Sequence, residues 1–361
     1  MTSGGKKATR RIAGIDVLKA LALFAIICQH GLTNQILHDV FADFWIRQAV
    51  PVLFVLMGYN AVRSELRRPQ RPLAASYGRA YWRGRAERLL LPFAIAFAAA
   101  VVVGAATDRL DVGKLNAIGA LPVPGPGNYF LTILLTFTLL WPAWMALFRR
   151  RPGLVVLAAI AVNVAFELVA RHVPSFTASD YPYGYDAALP RYMAAIAIGM
   201  WLALDDGRSR RRRLVVCALV PVSVVFIGIA RNDPGGVDFL IPGFTLTTNF
   251  LAVPLSAAIC LAVLRLWPAQ GIRGTGWLER TGAASFEIFL VQIIWFAVLP
   301  GRGDLRILGD LAVCSALGIL LHLAADRIVK RMRRARTPAV GATAAGEGSN
   351  SAPSRVLQDV S

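Results

Sequence analysis

The sequence has few charged residues for its length, and fewer acidic than basic ones. Charged residues make up only 17% of the 361 positions, against 56% hydrophobic residues, and the mean hydropathy is +0.54. This composition excludes an ordinary soluble domain, because its apolar runs are longer than one globular core could bury. The composition therefore predicts a polytopic membrane protein.

Cysteine is also scarce, and its placement excludes two kinds of site. Cys28, Cys217, Cys260 and Cys314 all fall in apolar segments and show no paired spacing. Neither a disulfide framework nor a zinc site is supported by that pattern. We interpret the four as small packing residues and expect no bound metal or cofactor.

The chain has no visible internal repeat and no room for a second soluble domain. We predict a basic cytoplasmic N-terminus over 1–12, one membrane domain over 13–330, and a disordered cytoplasmic tail over 331–361 that is rich in Ala, Gly, Ser and Pro. The first apolar segment has the basic start of a secretory signal peptide, but Asp16 and Lys19 interrupt it and no clear cleavage site follows. We expect it to be a retained helix.

Apolar segments of membrane-spanning length recur throughout the chain. They predict an all-α protein with about ten transmembrane helices. The segments lie near residues 13–31, 44–62, 88–107, 128–148, 153–170, 188–204, 214–230, 246–267, 282–300 and 307–328.

The excess of 39 basic over 21 acidic residues raises the possibility of a nucleic-acid partner. The basic runs, however, follow the positive-inside rule at alternate connections if both termini are cytoplasmic. This distribution predicts a multi-pass protein of the cytoplasmic (inner) membrane rather than nucleic-acid binding. The runs are Lys6 to Arg11, Arg63 to Arg88, Arg149 to Arg151, Arg208 to Arg213, and Lys330 to Arg336.

Three ionisable residues share one stripe of the first apolar segment. Lys19 and His30 are eleven residues apart, which at 100° per residue brings them within about 20° of one direction, and Asp16 joins them. The helical rise separates Lys19 from His30 by roughly 16 Å along the axis. Ionisable groups are costly in a membrane helix, so the stripe predicts a function.

Other polar residues are expected at the depth of His30, near the outer face. Arg47 and Arg191 begin two segments there, and Asn163 and Glu167 lie four apart on one helical face. Together they predict a polar chamber that opens outward. Interhelical hydrogen bonding is the structural alternative for any one of them.

These residue types suit acyl transfer to a sugar. A neutral histidine can take a proton from an attacking hydroxyl, which makes His30 a candidate catalytic base. Arg85 and Arg88, three apart before a segment, would bind the phosphates of a nucleotide-bearing acyl donor. Gln292 could donate to a developing oxyanion or make a structural interhelical contact.

Two local pairs compete with this interpretation. Cys28 and His30 point about 160° apart on a helix, so a Cys-His nucleophile pair is not supported. His322 and Asp326 are four apart beside the basic end of the chain. A structural cap or an ion pair explains them better than a catalytic dyad.

Several short motifs occur in a fixed order along the chain. The first runs from Ile15 to Lys19 and is followed by His30, and the second is the segment AVPVLFVLMGY over 49–59. Arg85, Arg88 and Pro92 form the third. Later motifs are GNYFL over 127–131, IGM over 198–200 and SFEIFLVQ over 285–292.

In order and spacing these motifs resemble the acyltransferase 3 family of integral membrane acyltransferases, over residues 11 to about 330. Three positions depart from the family pattern, since Lys19 replaces an Arg, Met57 a Ser and Gln292 a His. Lys19 keeps the charge but loses the bidentate geometry of a guanidinium. Gln292 removes a titratable group from its helix.

The resemblance implies transfer of an acyl group, often acetyl, from cytoplasmic acyl-CoA to a sugar hydroxyl of an exopolysaccharide, O-antigen or other envelope glycan. On this basis Asp16, Lys19, Arg85 and Arg88 are expected to bind the donor, and His30 to act as general base or transient acyl carrier. Arg47, Arg191, Glu167, Gln292 and Tyr129 are the expected acceptor residues. The implied partners are acyl-CoA, a glycan or lipid-linked saccharide, the bilayer and glycan-assembly proteins.

Two other classes of function remain open from the sequence. A transporter or flippase for a lipid-linked saccharide could use the same charged interior, and would show inverted repeats and broken helices. A membrane scaffold in a glycan assembly complex would leave the stripe of Lys19 and His30 without a purpose. Consumption of acyl-CoA by the purified protein discriminates among the three.

Overall fold

The structure is a computed structural model that describes residues 12–67, 71–111, 113, 121–170, 185–205, 209–232, 249–268, 271–301 and 303–336. All the regular elements of these residues are helical, which confirms the predicted all-α class. The helices are α1 Ala13–Gly31, α2 Asn34–Asp39, α3 Ala49–Leu66, α4 Leu73–Ser76, α5 Arg79–Arg85, α6 Leu91–Ala106, α7 Tyr129–Arg150, α8 Pro152–Ala170, α9 Met193–Ala203, α10 Arg210–Asn232, α11 Val253–Leu266, α12 Gly276–Ala283, α13 Ser285–Val298 and α14 Ile307–Arg336. A π-helical turn, Ala86–Leu90, joins α5 to α6.

Every apolar segment that the sequence predicts to span a membrane overlaps one of these helices. Among the described residues, six helical stretches are long and apolar enough to cross a bilayer, one of them Leu73–Ala106 from α4 through α6. The number is seven if α12 and α13, bent by 71° at their junction, form one span. Leu189–Ala203 and α11 are shorter apolar helices. The count of about ten spans and the cytoplasmic placement of both termini remain predictions, and residues 1–11 and 337–361 lie outside the described residues.

Two glycines allow α3 and α9 to pack with their backbones in contact. A Cβ added to Gly58 on α3 would lie 2.0 Å from the carbonyl oxygen of Ile196, and one added to Gly199 on α9 would lie 2.0 Å from that of Val55. Small residues at a helix interface permit this close approach in membrane proteins. Two of the sequence motifs, 49–59 and 198–200, therefore meet in one contact.

A proline inside α7 explains how the short helices α4 and α5 are attached. Pro142 has no backbone N–H, so it leaves the carbonyl of Thr138 without its usual helical donor. The Tyr81 hydroxyl donates to that carbonyl at 2.5 Å, and the Tyr77 hydroxyl donates to the carbonyl of Leu139 at 2.8 Å. Two tyrosines thus hold α4 and α5 against the middle of α7.

Helix α1 lies in the interior of the bundle, in contact with α3, α11, α12, α13 and α14. Gly282 on α12 approaches it so closely that an added Cβ would lie 1.7 Å from the carbonyl oxygen of Asp16. Most of α1 is buried, including Asp16 at 3% exposure. Its two ends therefore reach two different polar regions of the protein.

Candidate active site

A large cavity of about 870 Å³ lies at the end of the bundle where α1 begins, which we call the basic end. Its walls come from the start of α1, the end of α3, the π turn before α6, the start of α13 and the end of α14. Its described lining includes six Lys or Arg side chains and four carboxylates. They are Lys19, Arg63, Arg67, Arg88, Lys330 and Arg333, and Asp16, Glu87, Glu287 and Asp326.

Three of the four carboxylates of this cavity are held by neighbouring cations. Asp16 Oδ1 lies 3.3 Å from Lys19 Nζ on the same face of α1, and Asp326 pairs with Lys330 on α14. Glu87 accepts from Arg83 Nε at 2.8 Å and from Arg333 Nε at 3.1 Å, which ties the π turn to the end of α14. Because the cations outnumber the carboxylates, the cavity suits an anionic ligand.

Sequence reasoning missed one pair in the cavity wall. His322 Nδ1 lies 3.0 Å from Glu287 Oε1 on α13, whereas Asp326, the expected partner of His322, pairs with Lys330. Spacing by four residues reports only contacts within one helix, and here the neighbouring helix supplies the closer carboxylate. Glu287 could have been selected from the sequence, because it is an ionisable residue inside an apolar segment. A charge there is unfavourable unless a partner is present.

The two predicted donor arginines are not placed together. Arg88 lines the cavity, but Arg85 lies over the ring of Tyr81, with its Cζ 5.2 Å from the ring centroid. The expectation that they face together assumed α-helical geometry. The π turn over 86–90 has a wider hydrogen-bonding pattern, so residues three apart no longer share a face.

His30 lies in the last turn of α1, far from the basic end. Its half-buried ring is 5.9 Å from the ring of Phe296 on α13, measured between centroids. Eleven residues of α-helix separate it from Lys19, which corresponds to roughly 16 Å along the axis. One helix thus carries both the cavity residues and the candidate catalytic histidine.

A buried carboxylate that the sequence analysis did not select lies next to this turn. Asp310 on α14 is 1% exposed, and its Oδ1 accepts from Trp295 Nε1 at 2.8 Å and from Arg306 Nε at 3.0 Å. Its Oδ2 has no hydrogen-bond donor among the described residues, and it lies 3.1 Å from where a Cβ on Gly31 would stand. Because Gly31 follows His30, a carboxylate oxygen lies beside the candidate catalytic turn.

A second polar cluster surrounds Arg191, which is 1% exposed. Its guanidinium pairs with Asp186 and lies 4.2 Å from the ring centroid of Tyr185. The Tyr185 hydroxyl donates to Glu167. Burial raises the pKa of Tyr185 although Arg191 acts to lower it, so this phenol keeps its proton and remains a donor.

This cluster brings together three of the five predicted acceptor residues. Arg191 and Glu167 interact electrostatically, and the ring of Tyr129 stacks at 6.3 Å from that of Tyr192, beside Arg191. Asn163, which is fully buried, accepts from the backbone N–H of Ala194 at 3.3 Å, and its Nδ2 has no acceptor among the described residues. The cluster is therefore a buried polar network with one amide donor left over in the described part of the chain.

The other two predicted acceptor residues make structural contacts. Arg47 NH1 donates to Asp43 Oδ1 at 2.8 Å, one turn before α3. Gln292 Nε2 donates to the carbonyl of Pro126 at 3.1 Å, which anchors the segment before α7. Of the two roles considered for Gln292, the structure shows the structural contact.

Among the described residues, no group of three or more His, Cys, Asp or Glu side chains is placed to hold a metal ion.

A comparison with protein families matches residues 12–334 to the sequence model of an acyltransferase domain. No curated protein and no solved structure matches the chain. The match spans nearly the whole chain, so the protein belongs to the acyltransferase 3 family and is a membrane acyltransferase.

Proposed function

We propose that this protein transfers an acyl group, in the first instance acetyl, from acyl-CoA to a sugar hydroxyl of an exopolysaccharide, O-antigen or other envelope glycan. The observation that supports it most is the course of α1, which begins in a cationic cavity and ends at His30. A donor bound at one end and an acceptor at the other fit this geometry. If the basic end faces the cytoplasm, as the positive-inside rule predicts, the donor site is on the cytoplasmic side and His30 is toward the outer side.

The donor site of the proposal is the 870 Å³ cavity, a volume within the usual range of ligand pockets. The phosphates of coenzyme A need cations, and Arg63, Arg88 and Arg333 line the walls. Glu87 holds Arg333 and Arg83 in place from the rim. The long thiol arm of the donor would then extend along α1 toward His30.

In the proposed reaction the sugar hydroxyl oxygen attacks the thioester carbonyl carbon. The C–S bond breaks, the coenzyme leaves as its thiolate, and His30 takes the hydroxyl proton as general base. As an acyl carrier, His30 would instead attack the thioester first and pass the acyl group to the sugar in a second step. Both routes consume one acyl-CoA for each ester formed.

The acceptor region of the proposal is the Arg191 cluster. Arg191, Tyr185 and Asn163 supply donors, and Glu167 supplies a carboxylate acceptor. Sugars are bound by such combinations of planar polar groups and aromatic rings. Residues 171–184, which connect α8 to Tyr185, lie outside the described residues.

Arg88 and Arg85 form a matched pair for testing the donor site. Arg88→Gln should raise the KM for acyl-CoA about ten-fold, because it removes a charge-assisted phosphate contact in the cavity. Arg85→Gln, three residues away and outside the lining of the cavity, should change that KM by less than about two-fold. The KM of each variant is obtained from the rate at which the purified protein releases free coenzyme A, with the acyl-CoA concentration varied and the glycan concentration fixed. Equal effects of the two substitutions would contradict this donor site.

A further inference from the structure

A second cavity, of about 310 Å³, lies at the basic end but shares no lining residue with the donor cavity. It is enclosed by the end of α3, the α4–α5 pair and the second half of α7. Two arginines, Arg71 and Arg149, line it together with the aromatic rings of Tyr81 and Trp141. Nothing in the proposed acyl transfer uses this cavity.

The charge of this cavity favours an anion. Arg149 is anchored by a hydrogen bond from its NH2 to the carbonyl of Glu65 at 2.7 Å, and the Glu65 carboxylate lies 3.7 Å away. Arg71 is exposed and also lines the cavity. Two guanidiniums against one carboxylate leave a net positive site, and guanidiniums bind phosphate oxygens in bidentate geometry.

The surface beside the cavity is strongly apolar. On α7, Leu139 flanks the cavity face and is 55% exposed, and this helix is long and apolar enough to span a bilayer. Leu73 on α4 and Trp82 on α5 are also exposed. Side chains of this kind face lipid chains in a membrane, and Trp at such a boundary is typical of the interface.

We propose that this cavity binds the headgroup phosphate of an anionic phospholipid, whose acyl chains lie along the exposed apolar side chains next to it, Leu139, Leu73 and Trp82. The cations supply affinity for the phosphate, and the adjoining apolar surface distinguishes a phospholipid from a free phosphate, which has no chains to bury. Because Tyr77 and Tyr81 hold α4 and α5 on α7 beside the same cavity, the bound lipid stabilises that attachment. The π turn that carries Arg88 follows α5 directly.

Arg71→Gln tests the proposal, with Arg79→Gln as its control. Both residues are exposed and belong to the same stretch of chain, but only Arg71 lines the cavity, and neither has a structural role that would prevent folding. The full-length protein in neutral detergent is mixed with phosphatidylglycerol or phosphatidylcholine, and retained lipid is counted by native mass spectrometry. We expect wild type and Arg79→Gln to retain phosphatidylglycerol roughly ten-fold better than phosphatidylcholine, and Arg71→Gln to lose most of this preference.

Two competitors separate a lipid site from other anion sites. Inorganic phosphate and coenzyme A, added at the concentration of the lipid, should not displace phosphatidylglycerol. Displacement by phosphate would show a simple phosphate site, and displacement by coenzyme A would assign the cavity to the acyl donor. Either result, or equal retention of the two lipids by wild type, overturns the proposal. The proposed acyl transfer does not depend on the outcome.

Discussion

Replacing His30 with alanine is expected to abolish acyl transfer while the protein still inserts and folds. As a general base His30 would contribute about 10²-fold to 10⁴-fold to the rate, and as an acyl carrier its loss would remove the reaction altogether. The side chain lies half-buried against Phe296 at the end of α1, so its truncation should leave the helix interfaces intact. Formation of the glycan ester and release of coenzyme A, measured in membranes and with purified protein, check the expectation.

His38→Ala is the matched control for this prediction. His38 is exposed, on the short helix α2 a few residues beyond His30, and its Nδ1 lies 3.5 Å from Asp39 Oδ1. This variant should keep full activity. Full activity in His30→Ala would exclude His30 from the chemistry, whereas a labelled acyl group trapped on wild-type protein without acceptor would identify it as a carrier rather than a base.

Gly58→Ala should destabilise the protein far more than the same change at a glycine with open space around it. The new Cβ would lie 2.0 Å from the carbonyl oxygen of Ile196 and 3.1 Å from the backbone nitrogen of Met200, and backbone atoms cannot rotate away as a side chain can. Helices α3 and α9 would have to separate, at a cost of about 3 kcal/mol in the free energy of unfolding, the upper end of overpacking penalties. Thermal unfolding in detergent measures the loss.

Gly228→Ala on α10 provides the control, because an added Cβ there meets nothing within 4 Å. Alanine is favoured over glycine inside a helix by about 0.5–1 kcal/mol, so this variant should unfold at the same temperature as wild type or higher. Gly199→Ala should resemble Gly58→Ala. The double variant should cost less than the sum of the two, since one change already separates the helices. A Gly58→Ala protein as stable as Gly228→Ala would contradict the close contact.

Helix positions were largely predictable because a long run of apolar residues directly indicates a helix that spans a bilayer. The segment predicted at 13–31 is α1 with the same bounds, and the last segment contains most of α14. The π turn at 86–90 was not predictable, because no local residue pattern distinguishes it from an α-helical turn, and it separated Arg85 from Arg88. The bend of 71° between α12 and α13 has no proline, and a single glycine, Gly282, does not by itself predict a break because it is tolerated inside helices.

Contacts between helices were the least predictable part of the candidate site. Spacing placed Asn163 and Glu167 on one face, and both are buried there, but it could not reveal that Tyr185 and Asp186 complete the Arg191 cluster. It also gave His322 the wrong partner, and it overlooked Asp310 beside Gly31. The contacts of Glu287 with His322 and of Asp310 with Gly31 join different helices, and Tyr185 and Asp186 lie in a connection, so all of them depend on packing that one sequence does not display. The family resemblance, by contrast, rested on motif order and is confirmed.

The central claim, transfer of an acyl group to an envelope glycan by way of His30, is tested most directly by mass spectrometry of surface glycans. Cells that lack the protein are supplied with wild type, His30→Ala or His38→Ala, each at the same level in the membrane, and fed isotope-labelled acetate. The account predicts labelled O-acetyl groups on a glycan from wild type and His38→Ala cells and none from His30→Ala cells. Identical glycans from all three, with coenzyme A release by the purified protein unchanged in His30→Ala, would contradict it.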